Sequence, residues 1–333
     1  MVVKNSEMKM KMLAQKAIFG LCCLLLANAR AADTSTRAVP EPPRALLYAS
    51  AKALEREKQF ADAMAVYRMA LHNGVTGQAK DEAYLGLARC EEKQGNLWKA
   101  FLAVESSFPE RDALIAMTND ERGREMERRL KIETRLGEAL AQAGKAAVPD
   151  AADKSGKAMN GWAAAAAVYY AIVYNNPKTV FARKALVRRG DCLRQNGDYG
   201  EAEKSYRMLI NTFPGTPEVA EANIALAALL AEKTSGNGGI RGDAEQETTA
   251  IFNAAAATPD LKPELKEKLA EAQSAVRENK AQALLASVKN YYLKSGGKQG
   301  RQSAEFLLAD IVARYPESSA AKEAAELLKK LKR

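Results

Sequence analysis

Apolar positions along this chain recur one helical turn apart and hardly ever alternate, so the chain reads as all-α. In Asn196–Thr216, NGDYGEAEKSYRMLINTFPGT, Tyr206 and Leu209 put bulk on one stripe of a helix. Gly197 permits a turn before that helix and Pro214 stops it from continuing. The same punctuation predicts helical hairpins at Arg44–Glu57 with Ala61–His72, and at Ala79–Gln94 with Leu97–Ser107. A third begins with a long charged helix, Asn119–Gly144, and resumes at Gly161–Tyr174 after AAVPDAADKSGKAMN, which reads as a loop over 145–160. The fourth is Thr179–Gln195 with Tyr199–Thr212. The fifth is Pro217–Lys233 with Ala244–Ala257, joined by the loop TSGNGGIRGD. The sixth is Pro263–Lys294 with Arg301–Arg314, and Ser318–Lys332 reads as a capping helix. The hairpins thus fall into an N-terminal set over 44–144 and a C-terminal set over 161–333.

The pattern repeats. Ala202 and Ala304, Phe213 and Tyr315, Pro214 and Pro316, Cys90 and Cys192, and Gly95 and Gly197 each lie 102 residues apart, three times 34. Within Lys184–Thr216, the residues Leu186, Gly190, Leu193, Gly197, Tyr199, Ala202, Tyr206 and Pro214 resemble the tetratricopeptide repeat, whose period is 34 residues. Arg189 departs from it, standing where that family usually has Leu. Leu47, Leu54, Phe60, Ala63, Tyr67 and Ala70 follow the frame too, as do Tyr84, Leu87, Ala88, Leu97 and Ala100. The resemblance implies a right-handed α-solenoid of about six hairpins closed by the capping helix. It also implies a concave groove lined by the first helix of each hairpin.

Two phrases narrow the likeness. LINTFPGTPEVAEA and ADIVARYPESSAAKEA are similar to segments of two periplasmic groups, the outer-membrane assembly lipoprotein BamD and the envelope coordinator of the Tol–Pal system. This closer likeness covers Thr179–Ala231 and Ala283–Lys330. It implies a non-enzymatic interaction scaffold in outer-membrane assembly or cell-envelope organisation, whose partner is another envelope protein or an extended peptide segment. Assembly of a pilus or secretion apparatus and coordination of cell-wall division are the alternatives.

Composition agrees with close helix packing: 47% of residues are apolar but only 6% aromatic. Lys4, Lys9, Lys11 and Lys16 precede an apolar run of 11 residues, Ala17–Ala27, and small residues follow in ANARAA. That layout predicts a signal peptide over 1–31, a Thr- and Pro-rich linker over 32–43, and a periplasmic or secreted protein. The run is too short to span a bilayer. Neither Cys22 nor Cys23 follows a lipobox, so membrane association is expected only through a partner. Cleavage after Ala31 removes five basic residues and one acid, lowering the formal charge from +9 to +5. The remaining charges are interspersed, which argues against a nucleic-acid partner.

Catalytic chemistry is hard to place. The single histidine, His72, ends a helix beside Asn73-Gly74 and suits a structural role at the negative end of the helix dipole. One His with two distant Cys makes no metal site, so no metal, cofactor or enzymatic activity is expected. Equal places in separate repeats predict Cys90 and Cys192 as buried free thiols. GNGG at 236–239 lacks the Lys-Ser/Thr of a phosphate loop. Function is therefore sought on surfaces. The groove-facing candidates are Tyr48, Lys52, Leu85, Arg89, Lys93, Lys184, Val187, Asp191 and Arg194. Among them Arg89, Lys93, Lys184 and Arg194 are expected to favour a peptide bearing carboxylates. The charged run Glu121–Arg135 is the competing docking face.

Overall fold

The computed structural model describes residues 44–107, 118–153, 155–235, 242–259, 261–294 and 297–331. The expected signal peptide and linker, Cys22 and Cys23, and the GNGG stretch lie outside the described residues. The chain divides into two compact units: residues up to Leu136 with Val148–Ala158, and Gly137–Ala147 with Met159–Arg333.

The first unit stacks two helical hairpins, α1 (Arg44–Arg56) with α2 (Phe60–His72) and α3 (Gly77–Lys93) with α4 (Leu97–Ser106). It then takes in the greater part of α5 (Asn119–Ala143). Leu47, Ala51 and Leu54 of α1 meet Ala63, Tyr67 and Ala70 of α2, all at or below 5% exposure. Burying one such Leu or Tyr side chain contributes about 1.5–3 kcal/mol. Gly86 on α3 meets the ring of Tyr67, so that a Cβ there would lie 2.3 Å from Tyr67 Cζ. The start of α5 is closed by a reciprocal cap: Thr118 donates N–H to Glu121 Oε2 at 2.9 Å, and Glu121 N–H reaches back to Thr118 Oγ1 at 3.3 Å.

In the second unit, α6 (Gly161–Asn175) is followed by α7 (Val180–Asn196), α8 (Tyr199–Thr212), α9 (Pro217–Ser235) and α10 (Gly242–Ala256). Next come α11 (Pro263–Ser287), α12 (Lys298–Arg314) and α13 (Ser319–Leu331). Asn160 and Thr179 cap α6 and α7, accepting from Ala163 N at 2.9 Å and Ala182 N at 3.1 Å. Gly197 ends α7 in the left-handed region at φ 87°. At Gly190 the two helices of a hairpin approach closely: a Cβ there would lie 2.4 Å from Cε1 of Tyr206, across the α7–α8 contact. The ring of Tyr169 on α6 crosses Gly137 in the same way.

Two expectations change. The segment read as a loop over 145–160 is a two-stranded hairpin, β1 (Ala147–Ala152) and β2 (Ala158–Asn160). Asp153 closes its turn, donating N–H to Lys157 O at 2.9 Å while its Oδ1 accepts from the N–H groups of Ser155 and Lys157. Val148 and Ala151 are the buried residues of β1. They are three apart because Asp150 sits at φ 60°, which shifts the alternation by one and hides the strand's period of two. The second change is in the sixth hairpin. Its first helix is α-helical only to Ser287, and Val288–Leu293 winds as a π-helix.

Candidate partner-binding surfaces

The first helices of neighbouring hairpins touch: α1 meets α3 in the first unit, and α7 meets α9, and α9 meets α11, in the second. The nine candidate residues all lie on such helices, but they do not share one environment. Leu85 is 0% and Val187 2% exposed, so the expectation that they face a groove is corrected. A first helix packs against its own hairpin partner, against the second helix of the hairpin before it, and against neighbouring first helices. This wider coverage buries positions opposite the intra-hairpin stripe. Lys93 and Lys184 are exposed, and Tyr48 is half-buried. Tyr48 lies with its ring centroid 6.3 Å from that of Tyr67 and the Lys52 ammonium 5.6 Å from its own.

The arginines are engaged by their own chain. Arg89 donates through both Nε and Nη2 to Glu55, the latter at 2.9 Å, and Tyr67 Oη donates to the same carboxylate at 2.8 Å. Burial alone would raise the Glu55 pKa, but hydrogen bonds from Arg89 and Tyr67 hold it below the usual carboxylate value. Arg194 grips Glu232 likewise, Nε to Oε2 at 2.9 Å. Two of the four cations expected to draw a carboxylate-bearing peptide are thus already paired. Arg183 with Glu218 and Arg207 with Glu247 continue the pattern. The acids missed by sequence reasoning, Glu55, Glu218, Glu232 and Glu247, lie 34 to 40 residues from their arginines. Opposite charges about one repeat length apart were the signal that could have found them.

The competing surface, Glu121–Arg135, is partly committed in the same manner. Arg128 pairs with Glu82, and Arg135 donates twice to Glu92 at 2.6 Å. Arg129 is 5% exposed, donates to Val104 O at 3.1 Å, and lies 3.5 Å from Glu133 and 3.9 Å from Glu105. Burial, helped by the neighbouring Glu105, pushes Glu133 up to about 7, and the Arg129 guanidinium opposes this without reversing it. A cavity of about 480 Å³ between α3 and α5 is lined by charged and amide side chains, Asp81, Glu82, Arg124 and Gln78 among them. No apolar floor offers burial there.

The second unit holds a different cavity. About 340 Å³ opens between α7, α9 and α11, on a floor of Ile224, Ala225, Ala228, Leu265, Ala272 and Val276. Its rim carries Asp191, Glu221, Glu232, Glu271, Arg194 and Lys268. Of the candidates, Asp191 and Arg194 reach it. Tyr206 Oη donates to Asp191 at 2.8 Å. The Asp191 side chain keeps 39% of its surface open, with Arg188 at 3.7 Å. Protein packed round its carboxylate still raises the pKa, and the Tyr206 hydroxyl and Arg188 oppose this without reversing it.

His72 is exposed in the last turn of α2. Cys90 and Cys192 are buried free thiols, each pushed up to about 12 chiefly by burial. Among the described residues no group of His, Cys, Asp and Glu could hold a metal ion, and no helix is long and apolar enough to cross a membrane. An exposed aromatic pair, Tyr170 and Tyr174, stacks at 6.0 Å with Arg189 5.3 Å above the Tyr170 ring.

No protein-family model matches the chain, and no curated protein does. Among solved structures it is similar to YrrB, described as a TPR protein with an unusual peptide-binding site: 16% identity, 69% of this chain and 92% of that one, TM-score 0.37. It is also similar to a thermophilic TPR protein of Thermus thermophilus, at 20% identity, 69% and 99% coverage and TM-score 0.32. A third similar structure is a tetratricopeptide repeat protein from Parabacteroides merdae, at 14% identity, 87% and 99% coverage and TM-score 0.33. The all-α helical-repeat class rests on the hairpins themselves.

Proposed function

We propose that this chain is a non-enzymatic scaffold that holds an extended segment of another protein in the groove between α7, α9 and α11. The observation that carries this reading is the groove's make-up, an apolar floor of Ala, Ile, Leu and Val under a charged rim. An extended segment gains apolar burial on such a floor and orientation from the rim. The cavity between α3 and α5 lacks the floor. Work in the cell envelope, in outer-membrane or cell-wall assembly, is part of the proposal. The basic and apolar leader and the two phrases ending in aromatic-Pro support that part.

A photo-crosslinking residue placed at Ala228, on the groove floor, tests the binding site in the native cell. The control position is Met208 on α8, 48% exposed and outside the groove. A discrete adduct from position 228 and none from 208 is the expected result. Equal labelling at both, or none at 228, rejects the groove. Intact-mass analysis of the exported protein, expected to begin at Arg30 or Ala32, tests the compartment separately.

A further inference from the structure

We infer that the segment held in this groove is cationic, and that one Lys or Arg side chain of the partner sits over Ala225 and Ala228 against Asp191. The inference rests on the groove reading above and deepens it.

Glu55 in the first unit and Asp191 in the second sit in related settings. In both, a fully buried tyrosine of a second helix donates its hydroxyl to an acid on the first helix of its own hairpin: Tyr67 to Glu55, Tyr206 to Asp191, each at 2.8 Å. In the first unit the next hairpin completes the arrangement, because α3 supplies the Arg89 guanidinium to Glu55. In the second unit the next hairpin's first helix, α9, faces the groove with Ala225 and Ala228, which carry no charge. Asp191 is left with a mostly exposed guanidinium, Arg188, at 3.7 Å on its own helix.

The remaining rim charges do not fill that place. Arg194 is bound to Glu232, and Lys268 lies 3.5 Å from Glu221. Glu271 faces the groove without an ion pair among the described residues. The rim therefore carries four acids and two bases, and both bases are taken by two of the acids. Asp191 and Glu271 remain to receive charge from outside, above alanines small enough to admit it. Burial raises the pKa of both carboxylates; at Glu55 the hydrogen bonds from Arg89 and Tyr67 reverse this, whereas at Asp191 the Tyr206 hydroxyl and the nearby arginines do not. A carboxylate-bearing segment would instead meet an acidic rim whose two cations are already engaged.

Two fluorescein-labelled peptides of twelve residues test this against the full chain by anisotropy. Both alternate Ala and Leu, with Lys at every third position in one and Glu in its place in the other. The Lys peptide is expected to bind at least about tenfold more tightly, the scale of one charge-assisted hydrogen bond. Glu271→Gln, an exposed rim change that disturbs no packing, should weaken the Lys peptide. Asp191→Asn together with Glu271→Gln should cost about tenfold or more, and Ala228→Arg should abolish binding by placing a guanidinium there in cis. Far-UV circular dichroism and melting check that each variant is folded. Equal or tighter binding of the Glu peptide overturns the inference and leaves the groove reading standing. So does Lys-peptide binding that survives Glu271→Gln and Ala228→Arg unchanged. Binding of neither peptide overturns the groove reading itself, and this inference with it.

Discussion

Replacing Gly190 by Ala puts the hairpin geometry to its sharpest test. An added Cβ would lie 2.4 Å from Cε1, 2.6 Å from Cζ and 2.8 Å from Cδ1 of Tyr206, where carbon contacts normally sit near 3.5–4.0 Å. The ring is 0% exposed and has no empty side to retreat to. Its hydroxyl is also tied to Asp191 at 2.8 Å, so a shift of the ring strains that bond. Overpacking of this kind costs about 1–3 kcal/mol, and a hydrogen bond to a charged acceptor is worth about 1.5–3. Against these stands the helix-propensity gain of Ala over Gly, about 1 kcal/mol. The net expectation is a loss of roughly 1.5–5 kcal/mol. Gly123 on α5 is the control, since a Cβ there meets nothing within 4 Å and its φ is not left-handed. Gly123→Ala should gain up to about 1 kcal/mol. Urea unfolding followed by circular dichroism measures both. Adding Tyr206→Leu to Gly190→Ala should cost less than the two single changes summed, because the clash partner is gone. If Gly190→Ala shifts the midpoint as Gly123→Ala does, close approach is not what this glycine provides.

Other consequences are equally direct. Arg89→Glu sets a carboxylate against Glu55 in a partly buried position, so it should lower stability by about 1–3 kcal/mol, and adding Glu55→Arg should recover part of the loss; additive losses in that double variant would count against the pairing. Glu133 has a folded pKa of about 7 against an ordinary 4.5, so between those values the folded chain keeps a proton that the unfolded chain gives up. Its contribution to stability therefore falls as pH rises through that window, and the melting temperature of the native chain should drop relative to Glu133→Gln between pH 5 and pH 8. A difference that stays constant across that range refutes the assignment. Cys90 and Cys192, pushed up to about 12, should react slowly with a thiol reagent at pH 8 in the folded chain and give two thiols on unfolding without reductant. Fast labelling of the folded chain, or zero thiols after unfolding, would contradict their burial as free cysteines.

What the sequence determined is what local signals can carry. Thr179 before Val180 and Gly197 after Asn196 bound α7 because capping and left-handed turns are chemistry of a few consecutive residues. Gly190 and Tyr206 each had a place in the repeat frame, but their meeting across the hairpin is a contact that only the structure displays. The tertiary structure decided everything that depends on a neighbour farther along the chain. Leu85 and Val187 are buried because a first helix has neighbours beyond its own hairpin, and hydrophobic periodicity on one helix does not count its neighbours. The β-hairpin was hidden by Asp150, whose φ of 60° breaks the alternation that would announce a strand. The groove's character was the least legible part. Arg89 and Arg194 read as free cations until stacking brought Glu55 and Glu232 within hydrogen-bond reach. Charge written along a chain gives only the sum. Which acid is neutralised, and which is left facing Ala225 and Ala228, is set by the stacking of hairpins, because an ion pair forms only over a few ångströms.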